Sequence, residues 1–258
     1  KRLYVTGGEP SIIKANDDMI NHLIEIGNKE CHVSFTTNLT TWNINLYEKL
    51  SFFDKSEVQI SIDGYKTSQE YIRYGSVWKD IETNFKKLIE LPDKVRIQIY
   101  NVFQVYNMFE TYKIMKWLDR LDLKREVAFW PIIIDQPLHL RATVIPWRYR
   151  GIAASRYREF YDYSTYDNKH LDLHGAANRI ISYLESDWEP HGSYGKYCQG
   201  VEQTEINQRY MFYQYTDFMD RCRDTDFFKT FTQFEELREE YENSLDKKIV
   251  TPNWWIDD

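Results

Sequence analysis

Leu3-Tyr4-Val5-Thr6-Gly7-Gly8-Glu9-Pro10 opens as a short apolar and aromatic run and closes in two glycines, a carboxylate and a proline. The first half, Leu3–Thr6, reads as a strand. Two glycines let the backbone turn through positive φ and come close to a ligand. Pro10 lacks an N–H and ends any regular ladder. Four comparable runs follow, at His32–Thr36, Glu57–Ile62, Val95–Phe103 and Val127–Ile133. Their starts lie roughly thirty residues apart, the length of a βαβ unit. Apolar residues recur at helical spacing between them. Asn16 is placed to cap a helix carrying Met19, Ile20, Leu23 and Ile24, with Gly27 as its stop. Further helices are expected over Ile44–Leu50, over Val77–Leu91 before Pro92, and over Phe109–Leu121. Repeated β then α predicts an α/β fold with a parallel sheet and right-handed crossovers. An open doubly wound sheet and a barrel both satisfy that pattern. In both, ligands collect at the C-terminal strand ends.

The strand ends therefore carry the informative residues. Exposed carbonyls of Gly7 and Gly8 and the Glu9 carboxylate suit an ammonium group, and a plain strand-to-loop turn explains the same residues. The second strand ends in Thr36-Thr37-Asn38. Such side chains suit a ribose or a polar ligand edge, or else an Asx turn. The third ends in Ser61-Ile62-Asp63-Gly64, where alternation puts Ser61 and Asp63 on one side, able to bond vicinal hydroxyls. Arg73 follows and can fork a carboxylate, although a surface ion pair is the commoner fate of an arginine. An ammonium, a carboxylate and a ribose together describe S-adenosylmethionine.

Strand–GGEP, strand–TN, strand–SIDG and a downstream Arg resemble the body of radical S-adenosylmethionine enzymes over roughly Lys1 to Ile134. The resemblance implies a partial (β/α) barrel, N-terminally truncated, with a mostly helical C-terminal extension. It implies that Gly7, Gly8, Glu9 and Pro10 form the loop holding the methionine amino group. Ser61 and Asp63 would hold the ribose, and Arg73 the carboxylate. Thr37 and Asn38 would join the site. Strand Arg96–Phe103 would lay backbone against the adenine, with Asn107 after it. Asp135-Gln136-Pro137-Leu138-His139-Leu140, Ile145-Pro146 and Asp220-Arg221 resemble the twitch subgroup, relatives of SPASM peptide-modifying maturases. The implied reaction is reductive cofactor cleavage to a 5′-deoxyadenosyl radical that abstracts hydrogen from a small-molecule or peptide substrate, with an electron donor as partner.

The family's CxxxCxxC triplet, whose thiolates hold a [4Fe–4S] cluster, does not occur in this sequence. It precedes GGEP in the family, so it is expected upstream of Lys1, and a [4Fe–4S] cluster is expected only in a longer protein. Cys31, Cys198 and Cys222 are assigned to no iron, and no metal site is expected. Without a cluster, the chain as it stands is expected to be catalytically inactive. The alternative reading is a binding module that holds S-adenosylmethionine or a nucleotide without catalysis.

Three segments are expected: a core over 1–134, an extension over 135–250 and a tail over 251–258. Helices are expected at Ala153–Tyr163, Leu171–Glu185, Ile206–Arg221 and Phe231–Tyr241, with irregular chain from Asp135 to Arg150 and a loop carrying Pro190, Gly192, Gly195 and Gly200. The net charge of −7 argues against nucleic acid as the main partner. Arg141, Arg148, Arg150, Arg156 and Arg158 interleave with aromatics, which gives RNA binding as a third reading, against a solvated helix face. His170 and His174 stand four apart and could share a metal, but no third ligand accompanies them. No membrane span or signal peptide is read, and a cytoplasmic location is expected.

Overall fold

The computed structural model describes residues 1–121, 123–164, 172–187 and 204–247. Its centre is a parallel sheet of β1 (Arg2–Val5), β2 (His32–Thr37), β3 (Ser56–Ser61), β4 (Val95–Phe103) and β5 (Val127–Ile133), arranged in sequence order. All four adjacent pairs are parallel. The order never reverses, so there is no switch point of the doubly wound kind. Right-handed crossovers in that order stack the connecting helices on one face, as in a segment of a (β/α) barrel.

That face explains the apolar half of each strand. Val33 and Phe35, Val58 and Ile60, and Val95, Ile97, Ile99 and Phe103 alternate along their strands and are buried. They pack under α1 (Lys14–Glu25), α2 (Ile44–Lys49), α3 (Thr67–Ile72), α4 (Trp78–Leu88) and α5 (Thr111–Asp119). In α4 the buried stripe is Trp78, Ile81, Phe85 and Leu88, a spacing of three, four and three. Each such large side chain contributes about 2 kcal/mol by leaving water. The other face of the sheet is polar and open.

Several local expectations are corrected. Asn16 lies inside α1 rather than at its cap, and its side chain donates to the Pro10 carbonyl. The helix α3 carries no apolar periodicity, because it spans six residues and buries the polar Ser68 and Gln69. The helix α6 (Trp147–Tyr163) begins directly after Pro146, six residues earlier than expected. Pro146 fixes an extended residue just before the first turn. The Phe231–Tyr241 segment divides into a 3-10 turn, Thr232–Leu237, and α10 (Arg238–Ser244). The Pro190–Gly200 loop and the tail lie outside the described residues.

Beyond β5 the chain is mostly helical: α6, α7 (Leu173–Leu184), α8 (Glu205–Arg223), α9 (Phe227–Thr230) and α10. The α7 helix packs on β5 and on α6. The α8 end is tied to α3 by Tyr71, whose hydroxyl donates to Asp220 at 2.9 Å. Around that bond Tyr71, Tyr106, Phe212, Phe227 and Phe231 form edge and tilted aromatic pairs. One apolar core runs continuously across residue 134.

Candidate functional site

Gly7 and Gly8 leave β1 with φ of +96° and +57°. A Cβ at either would meet nothing, so backbone conformation alone asks for glycine there. Glu9 then caps the 3-10 turn Pro10–Ile12, its Oε1 accepting from Ser11 N at 3.1 Å. The same oxygen accepts from Thr37 Oγ1 at 2.9 Å, and Oε2 accepts from Asn38 N at 2.8 Å. Three donors thus engage the Glu9 carboxylate. It ties the end of β1 to the end of β2, and Gly7 and Gly8 stay exposed. Asn38 forms the Asx turn, its Oδ1 accepting from Thr40 N at 2.9 Å and Thr40 Oγ1 at 2.7 Å. Thr37 is buried beneath it.

Ser61 ends β3 on the open face, half-buried. Asp63 is buried, and it does not join Ser61 in facing solvent. Its Oδ1 accepts from Val102 N at 2.7 Å. Its Oδ2 accepts from Arg73 Nε and Nη2, each at 2.7 Å. Burial pushes the Asp63 carboxyl above its ordinary value, opposed by the Arg73 charge and the Val102 bond. Arg73 keeps Nη1 clear of this pair, and about a third of its side chain is exposed.

Two residues that sequence reasoning passed over or placed only by likeness hold this loop. Gln69 is fully buried, and its Oε1 accepts from Asp63 N and Gly64 N, each at 2.8 Å. A Cβ on Gly64 would fall 2.5 Å from Gln69 N, so this close approach requires glycine. Asn107 Nδ2 donates to the Asp63 and Val102 carbonyls, each at 2.8 Å. Nothing in the sequence marks Gln69; only its place on a polar-buried helix turn does. Lys66 starts that helix at φ +56° and ψ −122°, a conformation normally left to glycine.

The open face carries a cleft of ≈ 560 Å³ that reaches Ser61, Thr36 and Tyr100. The ends of β2 and β3 thus sit at the upper end of a polar groove running down the strands.

The two described cysteines are both free and stand on different elements. Cys31 is buried at the start of β2, Cys222 is exposed on α8, and Cys198 lies outside the described residues. Among the described residues no group of three His, Cys, Asp or Glu side chains converges as a metal set. His170 lies outside them. No described helix is long and apolar enough to cross a membrane.

The arginine–aromatic stretch does not present a free basic strip. Arg141 pairs with Asp135, Arg148 with Glu236, Arg156 with Glu159 and Arg158 with Glu185. Arg150 is fully buried and donates to the carbonyls of Ile145, Leu184 and Ser186. Asp220, besides Tyr71, accepts from Thr225 Oγ1 at 2.7 Å and Phe227 N at 2.8 Å, while Arg221 pairs with Asp217. Asp220 is therefore a docking residue of the extension.

No family model and no curated protein matches this sequence. Among solved structures, similarity is found to native anSMEcpe with bound AdoMet and Cp18Cys peptide, at 21% identity and a TM-score of 0.44. That match covers 62% of this chain and 46% of the other. Native anSMEcpe with bound AdoMet matches at 16% identity and TM-score 0.44, over 63% of this chain and 45% of the other. A polyhistidine-tagged anSMEcpe with bound AdoMet matches at 18% and 0.43, over 63% and 43%. The chain spans less than half the length of each.

Proposed function

We propose that this chain is the S-adenosylmethionine-holding body of a radical S-adenosylmethionine enzyme. One observation carries the reading. At the same end of the sheet Glu9 ties the loop after β1 to the end of β2, and Asp63 ties the loop after β3 to β4 and to Arg73, with Gly7, Gly8 and part of Arg73 exposed. In this reading the Gly7 and Gly8 carbonyls accept from the ammonium of the ligand. Arg73, steadied by Asp63, donates from its outer edge to the carboxylate. Ser61 meets the ribose. Glu9, Gln69 and Asn107 touch no ligand and keep these groups in place. Asp63 likewise acts through Arg73 rather than on a hydroxyl. Pro10 and Asn38 shape the loops.

When bound, S-adenosylmethionine supplies an activated sulfonium–carbon bond. Its reductive cleavage needs a cluster held by thiolates that these residues do not contain, so no redox step is derived for them. Substrate, electron donor and reaction outcome belong to the same proposal at one remove, with peptide modification as the class the twitch-like motifs suggest.

The test is equilibrium binding of S-adenosylmethionine by calorimetry. The expected result is one site with a dissociation constant below about 1 mM. Absence of binding at that concentration, with the fold intact by circular dichroism, overturns the reading.

A further inference from the structure

Two tyrosines tie the candidate site to the helical extension. Tyr71 lies in the last turn of α3, just before Arg73, and its hydroxyl donates to Asp220 at 2.9 Å. Tyr106 lies in the 3-10 turn Val105–Asn107, next to Asn107. Its hydroxyl shares a hydrogen bond with Thr216 Oγ1 at 2.9 Å. Both tyrosines are buried, and Thr216 is fully so. Phe212, Thr216 and Asp220 recur at helical spacing on α8, so one face of that helix meets both tyrosines. The Phe212 ring lies 5.3 Å from Tyr106, and the two tyrosine rings lie 5.6 Å apart. Arg223 extends the row: its Nη1 donates to the Tyr71 carbonyl at 3.4 Å, and its guanidinium lies over the Tyr74 ring at 5.4 Å.

These ties fall on the segments that place Arg73. Asp63 holds the Arg73 side chain, and Val102 N holds Asp63. Gln69 on α3 and Asn107 hold the backbone at Asp63 and Gly64. The two segments packed around Asp63 are therefore fixed on one side by the strand ends and on the other by α8. Six residues make too short a helix to keep its place unaided, so the position of α3 follows its tertiary contacts. A buried ring supplies area, and the directional bond at its tip supplies register. Arg73 N donates to the Gln69 carbonyl at 2.8 Å, so the arginine moves with α3.

We propose that α8 clamps the Arg73 site. Thr216 and Asp220, acting through Tyr106 and Tyr71, are positioning residues that hold the Arg73 guanidinium where a ligand carboxylate meets it. The ligand half of this inference rests on the reading of the site given above; the placement of Arg73 does not. None of these four residues touches the ligand, and their effect passes through Arg73. An arginine held in one place forks a carboxylate without first being ordered, so the clamp contributes selectivity for a ligand that carries one.

The test uses the whole chain with Tyr71→Phe, Tyr106→Phe and both together, which remove the hydroxyls and keep the rings. Tyr149→Phe is the control, a buried tyrosine of α6 whose hydroxyl is engaged by Arg148 and Glu236. The first readout needs no ligand: solvent exchange of the Arg73 Nε–H by NMR, assigned with Arg73→Lys. The second is the ratio of affinities for S-adenosylmethionine and its decarboxylated analogue. In the double variant, exchange should quicken at least tenfold. The affinity ratio should fall at least threefold, with the decarboxylated analogue bound as before. Each single variant should quicken exchange at least threefold, and Tyr149→Phe should move neither readout. Unchanged exchange in both single variants, with the fold intact by circular dichroism, overturns the proposal even where the double variant fails to fold. So does a control that moves both readouts as far as the double variant, or a double variant that keeps a wild-type preference for the carboxylate. Quickened exchange beside a wild type that does not distinguish the two ligands supports the clamp and removes only the reading of the site as a carboxylate receptor.

Discussion

Asp63 and Arg73 meet through a single carboxylate oxygen, with Nε and Nη2 both 2.7 Å from Oδ2. The other carboxylate oxygen is taken by the backbone of β4. This arrangement fixes the guanidinium from one side and leaves its far edge unpaired and partly exposed. Removing Arg73 leaves a buried carboxylate with one backbone bond. Arg73→Ala should cost about 2 kcal/mol in urea unfolding, discounted for the part of the arginine that solvent reaches. In a double-mutant cycle, Asp63→Asn should return part of that loss. Purely additive effects would show that the pair is not coupled.

Gln69 is the residue whose loss should be felt most for its size. Gln69→Leu leaves the N–H groups of Asp63 and Gly64 buried and unpaired. The expected cost is about 2–4 kcal/mol by chemical denaturation. Gln69→Glu keeps the acceptor and should recover part of it. Equal losses in both variants would mean that the acceptor bonds are not what holds the loop.

Lys66 sits where glycine belongs. Lys66→Gly should therefore raise stability by about 1 kcal/mol, read as an increased melting temperature. A decrease would mean that the lysine side chain, which lies over the Tyr65 ring at 5.1 Å, contributes more than the strain costs.

His139 is buried, and burial pushes its pKa from 6.5 down to about 4. In the unfolded chain it takes up a proton at higher pH than in the folded one. Stability from this group is thus present above about 6.5 and lost progressively as pH falls towards about 4, up to ~3 kcal/mol. Glu57, held below its ordinary value, adds a loss at lower pH as it protonates. His139→Gln should flatten the upper part of the acid limb and Glu57→Gln the lower. An unchanged unfolding curve between pH 6.5 and 4 in His139→Gln would contradict this assignment.

The parallel sheet was legible because β-branched runs return at βαβ spacing, and β4 and β5 fall where the pattern puts them. Their order was not legible, since alternation says nothing about which neighbour a strand takes. The loop residues were legible as types and not as roles. Glu9 and Asp63 each carry a carboxylate that could face a ligand, and the structure turns both inward to donors. Asn38 resolved to the turn that its own side chain favours. Gln69 was hidden because a buried glutamine in a six-residue helix has no periodicity to betray it. The polar cleft has a trace in the sequence: Ser34 and Thr36, Glu57, Gln59 and Ser61, and Gln98 and Tyr100 alternate with the core residues of their strands. Parallel strands covered on both faces read as continuous apolar runs, so this alternation marks a face without helices.

The central claim is that Arg73 receives a carboxylate of S-adenosylmethionine. It is tested most directly by measuring the affinities of S-adenosylmethionine and its decarboxylated analogue for the wild-type chain and for Arg73→Ala. Decarboxylation should weaken binding about tenfold in the wild type and leave the Arg73→Ala affinity unchanged. Equal loss in both proteins, or none in the wild type, would contradict the assignment.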